Sequence, residues 1–75
     1  DGAVDAVTVL VAAGVVDSKG AARRAITEGG AYINNERVES DEQSYTRADL
    51  IHGKWLVARR GKRTLGWVDG SSLTR

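Results

Sequence analysis

The stretch DSKGAARRAITEGGAYINNERV, Asp17 to Val38, changes its hydrophobic period at Gly30. Before that point it reads as a helix. The Ser18 hydroxyl is placed to accept from a free first-turn amide, and Ala21, Ala22, Ala25 and Ile26 recur on one side at helical spacing. Gly29-Gly30 supplies the stop. After it, Ala31-Tyr32-Ile33 and Arg37-Val38 flank Asn34-Asn35, which reads as a tight turn between two short strands. Asparagine tolerates the positive φ of such turns, although glycine would suit the second position better. A helix running directly into a hairpin predicts an α+β fold.

Toward the N-terminus, AVDAVTVLVAAG, Ala3 to Gly14, has a β-branched centre that favours a strand on propensity. Its length, its alanines and Gly14 as a C-cap favour a helix, and a helix is the reading adopted. The alanines of the second helix let the two helices approach closely, with Val7, Leu10 and Val11 offering the larger side chains. Toward the C-terminus, Glu39 to Arg47 is polar and reads as a loop, and Thr46 with Asp49 can cap a short helical turn. Lys54 to Arg60 and Arg63 to Val68 are apolar-rich runs separated by Gly61-Lys62, a two-residue hairpin signal. That register sets Leu56 against Trp67, Ala58 against Leu65 and Arg60 against Arg63, and makes Trp67 a core residue. Both tryptophans are also candidate stacking platforms for unpaired bases; core is the reading adopted for Trp67, whereas Trp55 points the other way and is open between the two, as are Tyr32 and Tyr45. The expected architecture is two N-terminal helices packed on a small antiparallel sheet, one domain with its core at about 4–68 and a polar tail at 69–75.

At 75 residues the chain has room for one domain. A domain of this size buries only about 60% of its unfolded surface, which disfavours a large enclosed active site. Cysteine is absent, removing disulfides and thiolate metal sites. Methionine is absent even at position 1, so the chain is expected to be a processed form or a piece of a longer protein. No apolar run approaches the roughly 20 residues of a membrane span, and no signal-peptide pattern occurs. A cytoplasmic protein without a membrane partner is the expectation.

The formal net charge is only +1, but the charge is segregated. Lys54, Arg59, Arg60, Lys62 and Arg63 occur without an acid among them, whereas Glu36 to Asp49 holds five acids against Arg37 and Arg47. A second basic group, Lys19, Arg23 and Arg24, sits on the helix with little apolar bulk. Like charges at helical i,i+4 spacing, or directly opposed in a strand pair, cost a few tenths of a kcal/mol. Solvated faces and edge-strand protection would explain some of these residues. Lysine would serve equally there, yet arginine predominates, and its planar fork grips phosphate oxygens in two places. Two self-repelling arginine-rich groups point to an anionic polymer as the missing partner. Catalysis gains little: His52 is the single histidine, no spacing supports a triad with Ser18, and Gly29-Gly30 lacks the phosphate-loop frame. No catalytic residue, metal site or cofactor is assigned to this chain.

The run GVVDSKGAARRAITEGGAYINNERV resembles the RNA-binding module named after small-subunit ribosomal protein S-four, through Gly14, Ser18-Lys19, Ala22-Arg23-Arg24, Gly29-Gly30 and Ile33-Asn34-Asn35. The run DLIHGKWLVARRGKRTLGWV looks like the closing part of that module at the C-terminus of bacterial tyrosyl-tRNA synthetases. Two departures occur: Ala21 stands where the module often has an acid, removing half of a capping box, and Asn35 replaces the hairpin glycine. The resemblance implies an S-four-like fold whose second helix and adjoining loop face RNA. It implies a partner, tRNA(Tyr) or another structured RNA, contacted by Lys19, Arg23 and Arg24 and by Arg59, Arg60, Lys62 and Arg63, with Lys54 and Arg37 as further candidates. Activation and transfer would reside in a separate catalytic domain using ATP and Mg, in a homodimeric parent, with the isolated domain monomeric. Alternative hosts are a ribosome-associated heat-shock protein, a pseudouridine synthase or an rRNA methyltransferase, where the partner would be rRNA. A protein–protein interaction module without RNA is the third reading.

Overall fold

The computed structural model describes residues 4–62 and 64–69. A short strand β1 (Val4–Asp5) leads into α1 (Ala6–Ala12), followed by α2 (Lys19–Thr27), β2 (Ala31–Ile33), β3 (Glu36–Arg37), β4 (Ser44–Tyr45), a 3₁₀ turn (Arg47–Asp49), β5 (Trp55–Arg60) and β6 (Thr64–Asp69). The main sheet is antiparallel in the order β3-β2-β5-β6, and β1 pairs separately with β4. The two helices cover one face of the main sheet, giving the expected α+β arrangement. Between them lies an all-apolar core in which Val9, Leu10, Ile33, Val38 and Leu56 are the largest fully buried side chains.

Local chemistry accounts for both helices. The Ser18 hydroxyl accepts from the Ala21 amide at 3.1 Å, so α2 starts where its cap predicts. Gly29 at φ 77° ends it, its amide donating to Ile26 while the Gly30 amide reaches back to Ala25. Gly14 at φ 79° ends α1 by the same motif, with the Gly14 and Val15 amides donating to the Val11 and Leu10 carbonyls. The start of α1 differs from the sequence reading. Ala3 lies outside the described residues, and Val4–Asp5 is extended because it pairs with Ser44–Tyr45 inside the stretch expected to be a loop. Asp5 then caps the helix, its carboxylate accepting from the Thr8 amide at 2.8 Å.

The Asn34-Asn35 turn forms as expected, both residues at positive φ (54° and 69°). Asn34 also reaches across the sheet: its Nδ2 donates to the Asp49 carbonyl at 2.6 Å, and its Oδ1 accepts from the Val57 amide at 3.1 Å. The 3₁₀ turn is capped reciprocally, with the Ala48 amide donating to Thr46 Oγ1 and the Thr46 amide to Asp49 Oδ2.

The closing hairpin differs by one residue from the expected register. Arg60 pairs with Thr64, Ala58 with Gly66 and Leu56 with Val68, so the loop has three residues and not the two expected. The slip exchanges the faces of β6. Gly66 and Val68 face the helices, and Trp67, expected in the core, is 67% exposed on the outer face opposite Val57. The cause is the close approach of α1: a Cβ at Gly66 would run into the Ala13 carbonyl oxygen and crowd Val15. That face has no room for leucine or tryptophan. The expected Arg60–Arg63 pairing is replaced by Arg60–Thr64, and residue 63 itself lies outside the described residues. Asp69, assigned to the tail, ends β6, and the rest of that tail is outside the described residues.

Candidate nucleic-acid interface

The basic residues fall into separate groups. Lys19, Arg23 and Arg24 are exposed along α2, because Ala22, Ala25 and Ile26 occupy the buried side. Arg60 ends β5 and Lys62 lies in the following turn, both exposed. The Gly61 amide donates to the Gly30 carbonyl at 2.7 Å, and Ala31 pairs with Arg60. The hairpin tip is thereby held against the chain as it leaves α2. Arg24 lies in the last turn of that helix, where a cation also complements the helix dipole. The fold therefore brings the α2 terminus and the hairpin tip to one end of the domain.

The other basic residues sit elsewhere. Lys54 occupies the turn before β5, about 20 Å from Arg60 along the six-residue strand. Arg37 is the exception: it is exposed on β3, but its guanidinium lies against Gly29, the residue that ends α2. Arg59 is on the outer face, its guanidinium carbon 4.2 Å from the centre of the Tyr32 ring. Burial leaves its Nε without a hydrogen-bond partner. Arg63 lies outside the described residues.

The acidic segment approaches one side of this arrangement. Arg23 Nε is 3.5 Å from Asp41 Oδ2, both side chains about half exposed. Such a pair contributes little to stability but lowers the positive potential locally. Hydrogen bonding from Thr8 holds the Asp5 carboxyl below the ordinary carboxylate range, and the nearby charges of Lys19 and Arg23 add to the effect. Among the described residues no carboxylate lies within ion-pair distance of Arg24, Arg60 or Lys62. The same holds for Lys19, Arg37, Lys54 and Arg59, so the end where helix and hairpin meet is distinguished by the grouping of its cations and not by their lack of ion-pair partners.

Among the described residues no group of three or more His, Asp or Glu side chains could hold a metal ion, and no helix is long and apolar enough to cross a membrane. Tyr32, open in the sequence, lies on the outer face between buried Ala31 and Ile33, where it holds Arg59. The sequence reading missed Asp41, for which a loop acid offers no local signal.

A family described as the tyrosine–tRNA ligase SYY-like C-terminal domain matches residues 1–67. The chain belongs to that family. Similar curated proteins are the tyrosine–tRNA ligases of Corynebacterium glutamicum (58% identical over 62 residues), Mycobacterium tuberculosis (52% over 69) and Mycobacterium leprae (49% over 69). These alignments cover 83%, 92% and 92% of the chain but only 15–16% of each relative. This family agrees with the host that the closing hairpin predicts, although the hairpin's register differs from the expected one. The matches favour this host over the heat-shock protein, pseudouridine synthase and rRNA methyltransferase alternatives.

Proposed function

We propose that this domain is an RNA-binding appendage that grips tRNA(Tyr) through its phosphate backbone and its shape. Arg24, Arg60 and Lys62 form the centre of the contact, Lys19 and Arg23 extend it along α2, and Arg63 belongs to it by its place beside Lys62. Aminoacylation is the work of a separate catalytic part of a longer, cytoplasmic and homodimeric protein that uses ATP and Mg. The isolated domain itself is monomeric and non-catalytic. The observation that carries this reading is the juxtaposition of the α2 terminus with the hairpin tip through the Gly61–Gly30 hydrogen bond, with uncompensated cations on both. Phosphate contacts of this kind position a protein on RNA without reading bases, so recognition rests on where the phosphates lie.

Amide chemical-shift mapping of the labelled domain with added tRNA(Tyr) tests this. Perturbations concentrated at Lys19 to Arg24 and at Arg60 to Lys62 support the reading. Perturbations confined to β1, β4 and the acidic loop would contradict it.

A further inference from the structure

The outer face of the main sheet carries aromatic and apolar bulk that the core does not use. Trp67 is 67% exposed, Leu65 63% and Trp55 36%. Trp55, Val57 and Trp67 line an open slot of about 340 Å³. Val57 forms its floor, since Val57 and Trp67 are directly paired and Trp55 lies two residues back on the same strand face. Next to this slot runs a row across all four strands, in which Arg37 pairs with Tyr32, Tyr32 with Arg59, and Arg59 with Leu65. The row is about 7 Å from the Val57–Trp67 pair, the spacing of two residues along a strand. Arg59 is pre-ordered within it by stacking on Tyr32. At the far end of the face Asp69 pairs with Trp55, so the positive side of the slot is the Arg59 side.

Exposed bulk on β6 is a liability, because β6 is an edge strand open to pairing with other chains. The chemistry of the slot indicates what covers it: an apolar floor bordered on one side by Arg59 matches a flat aromatic group carried on an anionic backbone. Resting on the RNA-binding reading above, we propose that this face stacks an unpaired nucleobase. Trp67 is the stacking platform, Trp55 and Val57 bound the base, and Arg59 receives the adjoining phosphate. The same hairpin then contacts RNA twice, by phosphate at its tip and by base stacking on its outer face.

The test compares two RNAs with the same number of phosphates, a hairpin with a loop of eight adenines and a blunt duplex. Binding to the 75-residue chain is followed by anisotropy of labelled RNA and by quenching of the protein's two tryptophans. The looped RNA is expected to bind more tightly and to quench, the duplex to bind without quenching. Trp67→Ala should weaken the looped RNA by roughly 5- to 150-fold and leave the duplex unchanged. Trp67→Phe should restore most of the loss, since a phenyl ring still stacks. Trp67 is too exposed for either change to unfold the domain, which thermal melts verify. Equal salt-dependent binding of both RNAs, unaffected by Trp67→Ala, would overturn the stacking site and leave the phosphate-binding reading standing. Failure of both RNAs to bind at low salt would instead overturn the RNA-binding reading on which it rests. Loss of self-association in Trp67→Ala, from a parent chain that sediments as a dimer, would overturn the proposal in favour of a second copy on this face.

Discussion

Replacing Asn34 separates two contributions that one residue makes to the sheet. Its backbone sits at φ 54°, and its amide side chain bridges the Asp49 carbonyl and the Val57 amide. Asn34→Gly keeps the turn geometry and removes both side-chain bonds. Each such bond contributes about 1 kcal/mol net, and the part-buried Val57 N–H left without its acceptor raises the cost. A loss of about 2–3 kcal/mol is expected. Asn34→Ala loses the same bonds and must also hold a Cβ in the left-handed region, adding about 1 kcal/mol or slightly more. Asn34→Asp retains the acceptor for Val57 but sets an oxygen against the Asp49 carbonyl, and should cost less than the glycine variant. The expected order of stability is Asn, Asp, Gly, Ala. A domain of this length has on the order of 4–11 kcal/mol in total, so the alanine variant becomes marginal. Urea unfolding followed by far-ultraviolet circular dichroism measures the order, and amide exchange at Val57 should accelerate in the glycine variant. The reasoning fails if glycine lies within about 0.5 kcal/mol of the parent, or if alanine is no worse than glycine.

Other positions carry sharp expectations. Gly66→Ala drives a Cβ into the Ala13 carbonyl and should cost about 1–3 kcal/mol or more in a thermal melt; an unchanged melting temperature would contradict the packing of α1 on β6. The Asp5 carboxyl, held low mainly by its bonds from Thr8, stabilises the fold above its unfolded pKa of about 3.9, and that contribution disappears as pH falls through the lower folded value. Asp5→Asn keeps a capping oxygen and should remove this part of the acid dependence, as read from melts at pH 2–5, whereas Asp5→Ala should cost about 1 kcal/mol at neutral pH. Asp41→Asn frees Arg23 and should change stability by less than about 0.5 kcal/mol while tightening RNA binding at low salt; weaker binding would show that Asp41 orients Arg23 productively.

Much of the fold is legible because its signals are local. Ser18, the alanine spacing and Gly29 delimit α2 without reference to the rest of the chain, and Asn34-Asn35 carries its own turn chemistry. The hairpin register is not local. It depends on α1 lying so close to β6 that only glycine fits at position 66, a contact between residues more than fifty positions apart. The β1–β4 pair is hidden for another reason: strands of two residues have almost no periodicity, and Val4 stands at the edge of a helical-looking run. At the candidate site the chemistry of Arg24, Arg60 and Lys62 is visible in the sequence, whereas their assembly needs the Gly61–Gly30 hydrogen bond. The partial cancellation of Arg23 by Asp41 is equally a product of tertiary structure. Trp67 reads as core because a two-residue loop sets it against Leu56, and only the three-residue loop turns it outward.

The salt dependence of tRNA(Tyr) binding tests the central claim most directly, measured for the parent chain, Arg60→Glu and Lys54→Glu between 50 and about 200 mM salt. Three dominant phosphate contacts at Arg24, Arg60 and Lys62 predict a slope of log affinity against log salt of roughly −2 to −3 for the parent. Arg60→Glu should weaken binding and flatten that slope by about one or more, while Lys54→Glu, some 20 Å away, should leave the slope nearly intact. A parent slope near zero, or equal effects of the two reversals, would contradict a phosphate grip centred where the hairpin meets the helix.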